Sequence, residues 1–414
     1  MDFQGRRWKC MVAAMLLALF SGIGYAWSVF QKPLMEGFSW ELNVISLTYT
    51  IQIMISTIAP IFLGKFQKTL GIGNYLRVGI GIYVIGLAAT MFTSSISYLY
   101  LVYGIVVGIG IAMLYPSLMA YSTSLFPDKT GMASGLLACS YGSGAILWAP
   151  IATTFMQRFG VLSSFGLLAG IFAVVMIPLS FLIKTVPADF SPLPKEGKKV
   201  KKTNSNPTSA VDYTWKEMLK TSRYYILVVA LTLGATAGLM ITGHAATMLQ
   251  ETLSFSAEKA ALYVGLISIF NALGRLTFGT ISDYFGRYRI MMLLFAVICG
   301  SMVLLTMSNG TVFVVELLAI SACYGGFTSM FSPVCADNFG IKNLAVNYAF
   351  LYVAYGLAGA IGPQLAAGIR TASGGYNLAF LTVAGMSVVG FLLVLFLNTA
   401  SRRLNQAKSL NKAA

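Results

Sequence analysis

Long apolar runs separated by short polar segments make up most of the chain. A helix that crosses a bilayer needs about 20 predominantly apolar residues, and the sequence contains twelve runs of that kind. They cover residues 10–30, 45–66, 75–95, 98–121, 130–155 and 161–184, and then 223–245, 258–280, 288–308, 311–334, 344–368 and 377–398. The pattern predicts an all-α integral membrane protein with twelve transmembrane helices.

The runs fall into two groups of six that resemble each other. Residues between the groups are rich in Pro, Lys and Ser and are typical of a flexible linker. We expect an N-terminal six-helix bundle over 1–184, a linker over 185–222, a C-terminal six-helix bundle over 223–400 and a tail over 401–414. Tyr141 follows Phe126 by 15 residues, and Tyr355 follows Phe339 by 16. Such repetition is typical of transporters that hold substrate between two repeats.

Composition and charge support a membrane location. The chain is 57% hydrophobic and only 10% charged, whereas about 25% of the residues in soluble domains are charged. Of its 28 Lys and Arg residues, 23 fall in segments predicted on one side, four on the other and one inside a run. By the positive-inside rule, both termini and the linker are predicted to be cytoplasmic, in a protein of the cytoplasmic membrane.

Few residues offer enzyme or metal chemistry. The five cysteines have no CxxC spacing, the chain has one histidine, and no two carboxylates pair within an apolar run. We therefore expect no enzyme activity, no metal and no cofactor. Because two six-helix bundles fit in one chain, the expected state is a monomer.

Arg275 lies within the eighth apolar run and has no acid within a helical turn. An uncompensated arginine near the bilayer midplane is costly unless it faces a cavity or a partner. Its planar guanidinium can bind a carboxylate through two parallel hydrogen bonds. We predict that Arg275 binds a small anionic substrate and that Asn271, one turn earlier, orients it without cancelling its charge. The alternative is a structural role, in which Arg275 bridges backbone carbonyls.

An interfacial belt would place tyrosines at the ends of the runs, but several tyrosines of this chain lie away from the ends. Their hydroxyls can donate to a carboxylate while their rings keep a cavity small and largely apolar. The main candidates are Tyr25, Tyr115, Tyr141 and Tyr355, with Tyr352 and Tyr324 as further ones. Packing is the alternative role for each of them.

His244 is near the outer end of the seventh run, with Glu251 seven residues later. Histidine titrates near neutral pH, so His244 could relay a proton taken up with the anion. A histidine that is only hydrogen-bonded at the membrane interface is the alternative. Glu316 in the tenth run is a further candidate, and the sequence does not choose among His244, Glu251 and Glu316.

The turn after the eighth run is GTISDYFGRYR and follows the pattern G-x-x-x-D-x-x-G-R-x-R. Asp283 can pair with Arg287 or with a neighbouring helix end, and such a pair could hold one conformation as a cytoplasmic gate. Here the sequence resembles the major facilitator superfamily, which implies two six-helix bundles that rock about a central site. The matching first-half segment, GKFQKTLG, departs from the pattern because Lys68 replaces the acid.

A narrower resemblance comes from SGIGYAWSVF, FPDKTGMASG and SYGSG together with Arg275. These segments resemble the oxalate/formate antiporter family, which includes bacterial monocarboxylate carriers. The resemblance implies that Tyr25, Tyr115, Tyr141 and Arg275 line the central site. Two positions differ: Tyr355 matches a lysine of the oxalate carriers, and Asn271 matches an aspartate of the mammalian monocarboxylate carriers.

These two differences favour one class of substrate. A single buried cation balances one carboxylate, whereas a dianion would leave a net negative charge in a low dielectric. The sequence therefore predicts secondary transport of a small monocarboxylate, such as lactate, pyruvate or formate, by alternating access and with a proton. The alternatives are anion exchange of the oxalate/formate type and a carboxylate sensor that does not transport.

Overall fold

The computed structural model describes residues 3–126, 130–186, 212–340 and 343–413. Twelve of its helical segments are long and apolar enough to cross a membrane, which confirms the predicted number of spans. In chain order they are spans 1 to 12: Arg6–Ala26, Leu42–Gly64, Thr69–Thr90, Ile96–Leu125, Met132–Phe159, Val161–Ser180, Ser222–Leu253, Ala257–Phe285, Arg287–Leu305, Gly310–Phe339, Val346–Ser373 and Asn377–Ala400.

Several spans are made of more than one helix. The first half contains α-helices Phe3–Ser21, Ser28–Phe38, Leu42–Thr90, Ile96–Leu99, Gly108–Leu125, Thr130–Gly142, Gly144–Phe159 and Val161–Ser180, with a 3₁₀ turn at Gly22–Ala26 and a π-helix at Tyr100–Val107. The segment Leu42–Thr90 is two helices, spans 2 and 3, that meet at the non-helical Gly71. The second half contains α-helices Trp215–Met218, Ser222–Leu253, Ala257–Phe285, Arg287–Leu305, Gly310–Phe339, Leu344–Leu351, Val353–Ser373 and Asn377–Ala413. The short helix Trp215–Met218 lies in the predicted linker, of which residues 187–211 are outside the described ranges.

The spans cross the membrane alternately, so their odd-numbered members all begin on the same side. This side, called the terminal side below, carries the ends of spans 6 and 12 and the start of spans 1 and 7. The opposite side is called the far side. Large apolar side chains on the outer surface, such as Val174 and Phe92, are 75% and 67% exposed, as expected where lipid covers a helix bundle.

The two halves pack against each other through spans 1, 2 and 5 of the first half and spans 7, 8 and 11 of the second. Span 5 lies along span 8, and span 2 lies along span 11. Small residues allow this packing: Gly243 faces Pro363 and Tyr49, and Gly356 faces Thr57. Close approach through small residues is the usual way in which membrane helices associate.

Spans 1 and 5 are both irregular where they meet. Span 1 has its 3₁₀ turn at Gly22–Ala26, and span 5 is interrupted at Ser143. A Cβ atom on Gly22 would lie 2.2 Å from the carbonyl oxygen of Tyr141, so no larger residue fits at this contact. The irregular backbone therefore places Tyr25 and Tyr141 next to each other at the centre of the molecule.

Candidate functional site

The site is built on span 8, which lies in backbone contact with span 10. A Cβ atom on Gly325 would lie 2.0 Å from the carbonyl oxygen of Asn271, and Ser321 donates to the carbonyl oxygen of Ile267 at 2.8 Å. Asn271 in turn donates from Nδ2 to the carbonyl of Ser321 at 3.5 Å. These contacts hold the helical turn that carries Asn271 and Arg275 in a fixed position.

Arg275 is buried, with 8% of its surface exposed. Its Nε donates to Oδ1 of Asn271 at 3.0 Å, and one terminal nitrogen donates to the hydroxyl of Tyr25 at 2.6 Å. Within the described residues no carboxylate lies within ion-pair distance of it. The positive charge of the guanidinium is therefore not compensated by an acid. The group is held by neutral partners from both halves of the molecule.

A cavity of about 50 Å³ lies beside the guanidinium, between the two halves. Four predicted tyrosines, Tyr25, Tyr115, Tyr141 and Tyr355, line it together with Arg275. The ring of Tyr141 contacts the rings of Tyr115 and Tyr25, with centroids 4.3 Å and 5.6 Å away. Hydroxyl groups and one cation thus face a space with mostly aromatic walls.

The opposite wall of the cavity belongs to span 11. Tyr352 also lines the cavity, and its ring stacks on that of Tyr355 at 5.0 Å. The hydroxyls of Tyr355 and Tyr324 are 2.9 Å apart, which places Tyr324 behind the wall. Asn271 is not among the residues that line this cavity and reaches it only through Arg275.

Other polar side chains of the cavity were not predicted from the sequence. Tyr49, Gln52 and Ser56 come from span 2, and Tyr348 comes from span 11. Both groups follow helical spacing within an apolar run: the span 2 residues lie three and four positions apart, and Tyr348 precedes Tyr352 by four. A polar stripe of this spacing was the available signal.

His244 lies between the cavity and the far side of the membrane and is fully buried between the halves. Its Nε2 is 2.9 Å from the carbonyl oxygen of Pro363 and 3.5 Å from the hydroxyl of Ser46. Gln31 donates to Ser46 at 3.3 Å and accepts from Thr247 at 3.0 Å. The histidine is therefore part of a neutral hydrogen-bond network that joins the two halves, away from the membrane surface.

Further contacts between the halves also lie toward the far side. Gln364 donates to the carbonyl of Asn43 at 3.4 Å, Thr50 donates to that of Gly359 at 3.2 Å, and the side chains of Gln157 and Glu258 are hydrogen-bonded. The other acids considered as proton carriers are separate from this network: Glu251 pairs with Arg370 at 2.7 Å, and Glu316 lies half-exposed in span 10.

On the terminal side, Asp283 and Arg287 form an ion pair. Nε of Arg287 also lies 3.6 Å from the carboxylate of Asp337 at the end of span 10, and Arg287 donates to the carbonyl of Gly279 at 3.3 Å. All these residues belong to the second half. The cluster therefore joins spans 8, 9 and 10 within one bundle.

Comparison with known proteins places the chain in a family. The sequence profile of the Major Facilitator Superfamily matches residues 10–363 and 268–413. The chain belongs to the major facilitator superfamily. It is therefore a multi-pass membrane transporter with twelve spans, and it is not an enzyme.

Similar proteins within the superfamily cover most of the chain. The oxalate:formate antiporter of Oxalobacter formigenes is 27% identical over 396 residues, which cover 95% of this chain and 91% of that protein. Monocarboxylate transporter 12 of Xenopus laevis is 22% identical over 342 residues, covering 78% and 73%. The resemblance to the oxalate/formate antiporter family is thus confirmed.

A solved structure shows the same major facilitator fold. A bacterial homologue of the human lysosomal transporter Spinster, crystallised in an inward-facing and unoccupied conformation, superposes with a TM-score of 0.64. It is 16% identical in sequence, and the match covers 96% of both chains. The predicted fold of two six-helix bundles is confirmed by this likeness.

Proposed function

We propose that the protein is a secondary active transporter that moves a small monocarboxylate by alternating access, together with a proton. The observation that carries this proposal is Arg275, a buried cation with neutral partners beside a cavity between the two halves. Burying an unpaired cation is costly. A bound carboxylate would supply the missing negative charge.

The hydrogen bonds of Arg275 leave donors for a substrate. Of the five N–H groups of a guanidinium, one bonds to Asn271 and one to Tyr25. The remaining donors can bind a carboxylate, and the hydroxyls of Tyr115, Tyr141 and Tyr355 can complete its hydrogen bonds. Tyr25 and Asn271 then position the cation, each from a different side.

Charge and size both favour a small monoanion. By the resemblance to the oxalate carriers, Tyr355 stands where those proteins have a second cation, and among the described residues the cavity lining has no charge other than Arg275. The space of about 50 Å³ holds roughly three to five water-sized groups. Lactate, pyruvate and formate are of this class.

The relatives support a carboxylate and also offer a second candidate function. They include an oxalate:formate antiporter and monocarboxylate transporters. The first of these favours exchange of two anions as the alternative to symport with a proton. A sensor that binds a carboxylate without moving it is less well supported, because the chain belongs to a transporter family.

Coupling to a proton is assigned to His244. The imidazole is the one histidine of the sequence and takes part in the hydrogen bonds that close the far side between the halves. A change of its charge would therefore alter a contact that must break when the far side opens. With the termini in the cytoplasm, the far side faces outward and a monomer completes the cycle.

A role at the cytoplasmic gate is assigned to Asp283 and Arg287 through the rigidity of one bundle and not through a contact between the halves. Their ion pair fixes the turn between spans 8 and 9 against the end of span 10. We infer that this cluster keeps the second bundle rigid on the terminal side while the two bundles move.

Uptake into proteoliposomes tests the proposal. Radiolabelled lactate, pyruvate, formate and oxalate are offered to purified protein with an inward proton gradient, without a gradient, and with anion preloaded inside. We expect the gradient to stimulate uptake of a monocarboxylate. Uptake that requires a preloaded anion and ignores the gradient would favour exchange, and binding without net uptake would favour a sensor.

A further inference from the structure

Among the buried polar atoms that have no hydrogen-bond partner within the described ranges, two belong to residues near the far side whose rings are close to each other. They are Nδ1 of His244 and the hydroxyl of Tyr376. The two residues are 0% and 4% exposed, and their rings face each other with centroids 6.2 Å apart and planes tilted by 50°. Unpaired buried polar groups are rare in native structures and call for an explanation.

The surroundings of His244 decide which of its nitrogens can accept a proton. Nε2 lies 2.9 Å from the carbonyl oxygen of Pro363. A carbonyl can only accept, so this nitrogen carries the hydrogen of the neutral ring. Nδ1 therefore bears the free lone pair, and it is the atom that gains a proton when the ring becomes charged.

The ring of Tyr376 lies next to the ring of His244 and is held there by packing. The Tyr376 ring stacks on Phe380 with centroids 6.2 Å apart, just before span 12. Burial, followed by the negative charge of Glu251, raises the pKa of Tyr376. The phenol consequently stays neutral and can serve as either donor or acceptor.

We propose that Nδ1 of His244 and the hydroxyl of Tyr376 together form the proton-binding site reached from the far side. This inference rests on the proton coupling proposed above and adds the residue that delivers the proton. A hydroxyl can donate to neutral Nδ1 and can accept from its protonated form, so one residue serves both charge states. Phenylalanine could serve neither.

The transfer balances without a free phenolate. The proton of the Tyr376 hydroxyl passes to Nδ1 as the same oxygen takes a proton from a hydronium ion on the far side, which becomes water. Tyrosine ends neutral, and the imidazole ends as imidazolium. Because the two atoms are not hydrogen-bonded to each other in this structure, the step needs a side-chain movement or one bridging water.

Other titratable groups around His244 are few. Tyr49 of span 2 lies near Gly243, the residue before His244. Glu251 and Arg370 lie toward the far-side surface as an ion pair with two hydrogen bonds, of 2.7 and 3.0 Å. More distant are the exposed pair of Lys32 and Glu36 after span 1 and Glu316 in span 10. Since the nearest acid is already paired with a base, titration at this place is assigned to the imidazole.

The substitution Tyr376→Phe tests the site because it removes the hydroxyl and keeps the ring. We expect gradient-driven uptake to fall at least about tenfold, as for loss of a hydrogen bond to a charged group, while anion counterflow without a gradient continues. Tyr263→Phe is the matched control, since Tyr263 is a half-buried tyrosine of span 8 that contacts Phe255. It should behave like the native chain.

A spectroscopic measurement gives a readout that does not depend on transport. With one histidine in the sequence, ¹⁵N-histidine labelling of untagged protein gives signals from His244 alone. We expect hydrogen on Nε2 in the neutral form, and a change in the Nδ1 signal and its pH titration in Tyr376→Phe but not in Tyr263→Phe.

The outcomes separate the two proposals. If the native chain responds to the gradient and Tyr376→Phe does too, with an unchanged Nδ1 signal, the inference is wrong and the proposed function stands. If uptake by the native chain does not respond to the gradient, the proposed proton coupling is wrong, and the inference about Tyr376 is wrong with it.

Discussion

The turns after spans 2 and 8 occupy equivalent places in the two halves and differ in chemistry. Both contain a glycine with positive φ, 73° at Gly71 and 91° at Gly286, a conformation that other residues rarely adopt. The second turn adds the cluster of Asp283, Arg287 and Asp337. The corresponding first-half positions are Lys68 and Ile72, so the backbone is repeated and the ion pair is not.

The same division holds at the centre of the molecule. If Gly64 is aligned with Gly279, Pro60 falls where the second half has Arg275, and Ser56 falls at the position of Asn271. The first half supplies Tyr25, Tyr115 and Tyr141 instead. Both halves thus contribute hydroxyl groups to the cavity, but among the described residues that line it only the second half contributes a charge.

This difference has an energetic consequence for movement between the halves. The contact of Arg275 with Tyr25 and that of His244 with Ser46 each join an ionisable group to a neutral hydroxyl. Separating such a pair does not leave two opposite charges uncompensated, which would be far more costly. The charged cluster of the terminal side stays within one bundle and need not break when the bundles rock.

Two substitutions test this difference between the halves, and Tyr25→Phe is expected to have the larger effect. It removes a hydrogen bond of 2.6 Å to a charged group, worth about 1.5–3 kcal/mol. Affinity for the monocarboxylate should fall roughly ten- to hundredfold, measured by calorimetric titration. Tyr103→Phe, whose ring packs on Trp27 and Phe165, is the control. Unchanged affinity in Tyr25→Phe would show that this hydroxyl does not position the cation.

Arg287→Ala should have a smaller effect, on rate and not on binding. The side chain of Arg287 is 17% exposed and that of Asp337 is 33% exposed, so solvent partly screens the cluster and its loss costs about 1 kcal/mol. We expect the maximal uptake rate to fall severalfold with KM unchanged. Ile72→Ala, at the equivalent first-half position, should leave the rate near native. Equal effects of both substitutions would contradict the asymmetry between the halves.

The apolar pattern predicts the twelve spans, but it does not predict where each helix ends. The seventh run was predicted to end at residue 245, yet its helix continues to Leu253, where Ser254 adopts a left-handed conformation with φ of 53°. Termination there depends on the local backbone and not on hydropathy. The helix breaks at Gly22–Ala26 and Ser143 depend on the contact between spans 1 and 5, which no single segment encodes.

Residues of the candidate site could be predicted from the sequence where their type is rare inside an apolar run, and less well where their type is common. Arg275 stood out because a cation inside an apolar run is costly, and Asn271 followed from helical spacing. Among 21 tyrosines, however, Tyr348 and Tyr49 were not separated from packing residues, since the distance between spans 2 and 11 is set by tertiary contacts. The proximity of the His244 ring in span 7 to the Tyr376 ring just before span 12 is set by tertiary packing and has no local signal.

Equilibrium binding of lactate to the purified native chain, Arg275→Ala and Arg275→Lys tests the central claim most directly. If the guanidinium binds the carboxylate, Arg275→Ala should show no saturable binding, and Arg275→Lys should bind more weakly than the native chain because it keeps the charge and loses the planar fork. Thermal unfolding would establish that both variants are folded. Native-like lactate affinity in folded Arg275→Ala would contradict the account.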